Sequence, residues 1–256
     1  MNFVDTHCHL NADAFNNSIT DILAESKANN INTICIPNID ISTIEPISEL
    51  CKLHSDILYS MIGIHPTSVT KDFESDVEII SNYLDINKNY IAIGEIGIDL
   101  YWDKSLLSEQ KQALLLQMQL ANKHNLPIVL HVREAFDEIF SILEKTSITK
   151  FKGIFHCFSG TTIQAQKAID YGFLLGIGGV LTYKKSGLDT VVKEISLKNL
   201  VLETDAPWLA PVPFRGKINK PSYLTYVAEI IADIKNCTLE DVAKTTTQNA
   251  KELFSI

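Results

Sequence analysis

The sequence predicts an α/β protein built as a (β/α)8 barrel with an additional C-terminal helix. Three observations predict it. Short apolar, β-branched runs alternate eight times with longer polar-apolar stretches, the pattern of parallel strands joined by helices. The length of 256 residues suits a barrel of this type as one unit. Polar residues able to bind metal recur where the strand-like runs end, which is where such barrels assemble their sites.

The first run, "NFVDTHC", carries His7 and ends just before His9. The second, "NTICIPN", ends in Asn38, and the third, "ILYSMIGIH", in His65. The fourth, "YIAIGEIGI", holds Glu95; the fifth, "LPIVLHV", holds His131; the sixth, "FKGIFHCF", holds His156. The seventh, "GFLLGIGG", offers only glycines, and the eighth, "NLVLETDAP", holds Asp205. Between them lie segments of helical periodicity, among them "SITDILAESKANN", "DVEIISNYLDINK", "SEQKQALLLQMQLANKHN", "EAFDEIFSILEKT" and "TIQAQKAIDYG". Several open on Ser, Thr or Asp and close near Asn or Gly, as helix ends do. "TLEDVAKTTTQNAKELF" reads as helix beyond the barrel. An open doubly wound sheet is disfavoured because no G-x-G-x-x-G follows the first strand, and "GIGG" lies in the wrong place for one. Its glycines instead let a ligand or neighbouring backbone come close. No linker or low-complexity stretch interrupts the chain, so residues 1–256 read as a single domain.

Composition narrows the function classes. A 46% apolar share is that of a globular protein with a full core. No apolar run approaches the roughly 18 residues of a membrane helix, and the N-terminus lacks the basic and apolar regions of a signal peptide. The five cysteines, Cys8, Cys35, Cys51, Cys157 and Cys237, are odd in number and scattered, which favours reduced thiols and a cytoplasmic location. With 22 basic and 31 acidic side chains the net charge is −9, which argues against coating nucleic acid by bulk charge. It does not exclude action on a phosphodiester, because divalent cations would supply positive charge locally. Late basic residues are Lys184 and Lys185 in "YKK", best read as a solvated loop, and Arg215, Lys217 and Lys220.

Five of the seven histidines sit at strand ends. The others, His54 and His124, fall in or after helical segments and read as exposed or capping residues. His7, His9, Glu95, His131, His156 and Asp205 together make a ligand set for divalent metal: imidazole and carboxylate suit Zn, Mn, Co or Fe, and carboxylates also accept Mg. Six ligands exceed the need of one open tetrahedral zinc and suit two ions about 3.5–4 Å apart that share a carboxylate. Glu95, flanked by ligand strands on both sides, takes the bridging role. Asp205 joins His7 and His9 at the seam where the eighth strand meets the first, and accepts a proton from the attacking water. His131 and His156 hold the second ion. Cys8 and Cys157 alternate away from the ligands and read as small core residues. Asp5 and Glu203 share the parity of His7 and Asp205 and are expected one layer below, as hydrogen-bond acceptors.

"FVDTHCHL", "GIHP", "IGEIGID", "LPIVLHVRE", "FHCFSG" and "LETDAPWLAP" with "RGKINKP" resemble, in order and nearly end to end, the TatD-related deoxyribonucleases of the metal-dependent amidohydrolase superfamily. The resemblance implies a (β/α)8 barrel, a divalent-metal pair held by His7, His9, Glu95, His131, His156 and Asp205, and hydrolysis of phosphodiesters in DNA, often from strand ends as a 3′-to-5′ exonuclease. DNA ends are then the expected partner, with neither a membrane nor an obligate protein partner. Two positions depart from the family pattern: Thr67 stands where relatives often carry a second histidine, and Lys220 where they commonly carry Glu. His65 remains a candidate substrate contact. Lys220 would add positive charge near the mouth.

The expected chemistry is hydrolysis by a metal-activated water, with Glu95 and Asp205 as the catalytic carboxylates. Arg133 and Arg215 are candidates to grip phosphate, against structural ion pairs. Trp208 and Tyr183 are candidates to stack a base, against simple packing. The competing reading is a hydrolase of small-molecule amides or esters. Related amidohydrolases often bridge their metals with a carboxylated lysine from the fourth strand, and Glu95 in that strand disfavours this branch. A metal-free barrel serving as a binding surface predicts gaps in the ligand set, and there are none.

Overall fold

The computed structural model describes residues 1–16, 18–146 and 151–256. Each expected run contains one strand: β1 (Phe3–Asp5), β2 (Ile31–Ile36), β3 (Leu58–Ser60), β4 (Ile93–Asp99), β5 (Ile128–Arg133), β6 (Gly153–Phe155), β7 (Phe173–Ile177) and β8 (Leu200–Leu202). The strands are shorter than the runs that announced them. At the C-terminal ends of β1, β3, β6 and β8 the ladder stops before the polar tip, which frees that stretch to bend toward the axis.

All pairings are parallel, β1 to β2 to β3 and β4 through β8. Two narrow seams join these groups. At one, Ile62 N–H donates to Ala92 O at 3.2 Å and Gly94 N–H to Ile62 O at 2.9 Å. At the other, Thr6 N–H donates to Leu202 O (3.0 Å), Asp205 N–H to His7 O (2.9 Å) and His9 N–H to Ala206 O (2.8 Å). These bonds close the ring of eight.

The helices forecast from periodicity are α1 (Ile19–Ala28), α3 (Phe73–Ile86), α4 (Leu107–His124), α5 (Phe136–Lys145) and α6 (Thr162–Asp170). Between them and after β7 and β8 lie α2 (Ile44–Leu53), α7 (Leu188–Glu194) and α8 (Leu224–Lys235). Capping follows the chemistry in part. Thr161 and Asn125 mark the start of α6 and the end of α4, the first through a capping box with Gln164, the second with left-handed φ of 53°. Ser18 does not cap α1; its hydroxyl donates to Phe15 O at 2.9 Å instead. Gly172, at φ 93°, turns the chain from α6 into β7.

The final helix, α9 (Leu239–Phe254), begins at a Thr238–Asp241 capping box. It closes the end of the barrel opposite the site. Val4, Cys35, Met61, Ala92, Val129, Ile154 and Val201 fill the interior, and Ala250 and Phe254 seat against that layer. Asn249 Nδ2 donates to Leu197 O and Leu200 O at 2.9 and 2.7 Å, which ties α9 to the start of β8. No helix among the described residues is long and apolar enough to cross a membrane.

Candidate metal centre

Beyond Asp5 the chain leaves the β1 ladder and bends at Thr6. Cys8 bridges Ala206, its N–H donating to Cys35 O at 3.0 Å, so it is buried on the outer side while His7 and His9 converge on the axis. Their Nε2 atoms lie 3.1 Å apart. Glu95, buried in the middle of β4, meets both sides of the cluster. Its Oε2 lies 3.0 Å from His7 Nε2 and 3.7 Å from His9 Nε2. Its Oε1 lies 2.6 Å from His131 Nδ1, 3.4 Å from His65 Nε2 and 3.7 Å from His156 Nε2. One carboxylate thus divides the donors into two sets. Asp205 Oδ1 lies 3.4 Å from His9 Nε2, 3.6 Å from His156 Nε2 and 3.9 Å from His7 Nε2.

All six expected ligands therefore converge, and His156 stands between the two sets, its Nε2 3.6 Å from Asp205 Oδ1 and 3.7 Å from Glu95 Oε1. His131 and Glu95 gather with His65, whereas His156 gathers with His7 and Asp205. The cause is orientation. Glu203 Oε1, 3.0 Å from His156 Nδ1, turns the opposite edge of that ring toward Asp205. The His7 and His156 rings stack with centroids 3.4 Å apart, while those of His131 and His156 are 6.5 Å apart. His65, expected to touch substrate, has its Nε2 3.2 Å from His131 Nδ1, inside the cluster. Thr67, the departure from the family pattern, sets that ring: its Oγ1 lies 2.6 Å from His65 Nδ1.

The supporting residues divide in the same way. Glu203 accepts the N–H of Cys157 and stands beside His156, as its parity implied. Gly176 makes room for it, since a Cβ there would lie 2.2 Å from Glu203 Oε2. That is the close approach expected in the seventh strand. Asp5 is an acceptor too, but not of an imidazole N–H. It accepts from Thr204 N–H (2.9 Å), the Thr204 hydroxyl (2.6 Å) and His7 N–H (3.3 Å), so it ties β1 to β8 and touches no imidazole. Asp99 was overlooked: its Oδ2 lies 2.9 Å from His131 Nε2. The signal was in "IGEIGID", where Asp99 shares the parity of Glu95. Gly97 between them, at φ 152°, is required because a Cβ would lie 1.9 Å from His131 O. Asn38 is structural, donating to Asp40 O and Gly63 O at 2.9 and 2.7 Å.

Electrostatics sorts the charges. Burial works against ionisation of Glu95, yet the imidazoles of His65, His7 and His156 hold its carboxyl well below the usual range. Asp205 is likewise depressed despite burial, chiefly by His156 and His9. Burial alone would lower both His131 and His156. Instead Asp99 and Glu95 raise His131 to about 9, and Glu203, Glu95 and Asp205 raise His156 to about 10. His7 is pushed down to about 4 by burial and by His156. Burial lifts Asp5 to about 8 and the thiols of Cys8 and Cys157 well above their ordinary value, so both cysteines stay protonated.

This donor set fits divalent cations. Buried or half-buried imidazole nitrogens and carboxylate oxygens face one another in groups of three with donor atoms within 4.8 Å, and the Cys157 sulfur joins His156 and Glu203 in one further group. Among the described residues the Nδ1 atoms of His7 and His9 have no hydrogen-bond partner, and their Nε2 atoms, each able to present a lone pair, face into the cluster. A cation there would accept those lone pairs and balance the carboxylates.

The rim carries the remaining candidates. Among the described residues neither Arg133 nor Arg215 forms an ion pair. The guanidinium of Arg133 lies 3.8 Å from the centre of the Tyr101 ring, and that of Arg215 4.4 Å from the Tyr183 ring. Trp208 meets His9 edge to face at 4.9 Å and is half exposed. Tyr101 and Trp102 were not anticipated, although "DLYWD" places two aromatics directly after β4. Lys184 and Lys185 are exposed, as expected of a solvated loop. Lys220 is not free at the mouth: its Nζ lies 2.7 Å from Glu25 Oε2, and Ser222 donates to the other oxygen of the same carboxylate. His54 ends α2, and His124 lies in the last turn of α4, 3.6 Å from Asp85.

A parallel eight-stranded barrel with buried His, Glu and Asp at the C-terminal strand ends defines the class of metal-dependent hydrolases. The chain belongs to the family described as TatD related DNase, which matches residues 4–255. It is 40% identical over 253 residues to the uncharacterized metal-dependent hydrolase YabD of Bacillus subtilis, covering 98% of each chain. It is 30% identical over 264 residues to the uncharacterized metal-dependent hydrolase YcfH of Escherichia coli K12, covering 100% of this chain and 97% of that one. The crystal structure of the TatD homolog YjjV from Escherichia coli K12 superposes with a TM-score of 0.93 at 27% identity, covering 99% of this chain and 98% of that one.

Proposed function

We propose that the protein is a deoxyribonuclease that uses two divalent ions and removes nucleotides from DNA ends in the 3′-to-5′ direction. The observation that carries this reading is the placement of the arginines. The chain has only two, Arg133 and Arg215, and both stand on the rim with no carboxylate paired to them among the described residues. A site built for a neutral amide has no use for two unpaired guanidiniums at its mouth. A phosphodiester backbone does, because the planar fork matches phosphate oxygens. Glu95 in β4, in place of a lysine, points the same way.

His7, His9 and Asp205 with His156, and His65 with His131, would hold the ions on either side of Glu95. Bound there, divalent ions supply Lewis acidity and a nucleophile at neutral pH. The chain's own groups do the rest. Asp205, ionised and reachable from solvent at its 16% exposed side chain, accepts the proton released as water attacks phosphorus. Asp99 and Glu203 hold the rings of His131 and His156 in place. Arg133 and Arg215 orient the phosphates on either side, and Trp208 and Tyr183 offer faces to a base. Five free thiols support a reducing, cytoplasmic setting.

The deciding experiment offers metal-reconstituted protein 3′- or 5′-labelled single- and double-stranded DNA, RNA, and a panel of small amides and esters. Stepwise loss from the 3′ end is expected. Turnover of an amide with no cleavage of any nucleic acid would replace this reading with the small-molecule hydrolase.

A further inference from the structure

Tyr101 and Trp102 lie in the turn between β4 and α4, and both are exposed, Trp102 at 70%. Exposed aromatics of this size are usually tolerated on loose loops, but this turn is held rigidly. Asp99 Oδ1 accepts the N–H groups of Tyr101 (2.9 Å) and Trp102 (3.1 Å). Gln110 of α4 accepts the Asp99 N–H at 2.9 Å and donates to Asp99 O and Asp103 O at 3.3 and 3.4 Å. The same Asp99 carboxylate, through its other oxygen, meets His131 at 2.9 Å. One buried carboxylate therefore fixes the aromatic turn in register with the candidate metal cluster.

Arg133 completes the arrangement. It stands two residues after His131 on β5, with its guanidinium 3.8 Å from the Tyr101 ring centre and 5.6 Å from that of Trp102. The Tyr101 and Trp102 rings are perpendicular, 5.0 Å apart. Tyr101 is covered on one side by Arg133, which leaves the indole of Trp102 as the open face. A flat apolar surface beside an unpaired guanidinium, anchored to the reaction centre, matches a nucleobase whose own phosphate the arginine holds. An unpaired base can lie flat there, whereas a base within a duplex has both faces occupied by its neighbours.

Resting on the phosphodiesterase reading above, we infer that Trp102, backed by Tyr101 and Arg133, is a stacking platform for an unstacked base of the bound DNA strand. Trp102 and Trp208 are the only tryptophans, so the Trp208→Phe variant leaves Trp102 as the sole indole reporter. In that variant, a short single-stranded oligonucleotide is expected to quench the indole emission on binding. The same strand with its last two residues abasic should bind at least about fivefold more weakly, the low end of what stacking one base contributes. With Trp208 intact and binding read from the anisotropy of a dye-labelled oligonucleotide, Trp102→Ala should weaken the normal strand by a similar factor and leave the abasic strand unaffected, while Trp102→Phe restores most of the difference. Unchanged emission at saturation, or equal weakening of both strands by Trp102→Ala, overturns the platform while DNA hydrolysis stands. Absence of binding and cleavage of every nucleic acid, with amide turnover, overturns the nuclease reading and the platform together.

Discussion

Asp99→Asn isolates the carboxylate that orients His131. In the native arrangement Asp99 Oδ2 accepts from His131 Nε2 at 2.9 Å, which leaves Nδ1, 2.6 Å from Glu95 Oε1, available to a cation. Asparagine retains an oxygen for the backbone N–H groups of Tyr101 and Trp102. It then presents an amide N–H to His131 Nε2, two donors face each other, and the ring relieves this by moving its proton to Nδ1. That atom can no longer bind a metal. A hydrogen bond to a charged group contributes about 1.5–3 kcal/mol, or roughly 10- to 150-fold in a binding constant. Substitution of groups that orient metal ligands typically weakens binding 10- to 100-fold, so the two figures agree. Titrating metal-free wild type and Asp99→Asn with Zn2+ or Mn2+ against a competing chelator should show one of two binding steps weakened by about that factor, with the circular dichroism spectrum unchanged. Metal affinity within twofold of wild type would refute this account of His131.

Four further outcomes follow from the same geometry. Glu95→Gln keeps the shape but removes the charge shared by the two donor sets, and should lower metal content from two equivalents to one or none by elemental analysis; an unchanged two equivalents would remove the bridging role. His131 and His156, ordinarily near 6.5, rise to about 9 and about 10, and Asp5, ordinarily near 3.8, rises to about 8. The folded metal-free protein therefore binds more protons than the unfolded chain above pH 6.5, and its Tm should fall as pH rises from 6.5 toward 9; the gain in Tm on adding metal should grow over the same range, since metal displaces those protons. Gly176→Ala drives a Cβ into Glu203 and should cost about 1–3 kcal/mol, a drop of several degrees by calorimetry, with weakened metal binding as Glu203 leaves His156; an unchanged Tm would show that Glu203 shifts freely. Lys220→Ala removes a partly exposed ion pair with Glu25 and should cost no more than about 1 kcal/mol, while a several-fold loss of DNA turnover would show that Lys220 serves the substrate.

The number and order of strands were legible because each is an apolar run bounded by polar residues, a pattern one residue deep that needs no long-range contact to read. The convergence of His7, His9, Glu95, His131, His156 and Asp205 was legible for a related reason: a closed barrel carries every strand end to one rim, so position along a strand is enough to place a residue at the site. What alternation alone cannot give is the direction of a ring. His65 is a substrate-contact candidate by position alone, and nothing local indicates that its Nε2 faces Glu95 with Thr67 at the other ring nitrogen. His156, paired with His131 by strand adjacency, has Glu203 beside its Nδ1, which leaves its Nε2 between Asp205 and Glu95.

Asp5 shows the limit of parity: the chain bends at Thr6, and its carboxylate accepts from two backbone N–H groups and the Thr204 hydroxyl rather than from an imidazole. Lys220 shows the limit of charge counting, since its partner Glu25 lies 195 residues away. The sequence by itself determined the alternation, the barrel and the list of groups that meet at its rim, because these depend on local periodicity and on strand direction. The tertiary structure alone decided which atom of each group faces which neighbour, that Asp99 serves both His131 and the Tyr101–Trp102 turn, and that both arginines lie over aromatic rings, unpaired with any carboxylate among the described residues. Those outcomes depend on side-chain contacts between segments far apart in the chain, and a linear pattern carries no record of them.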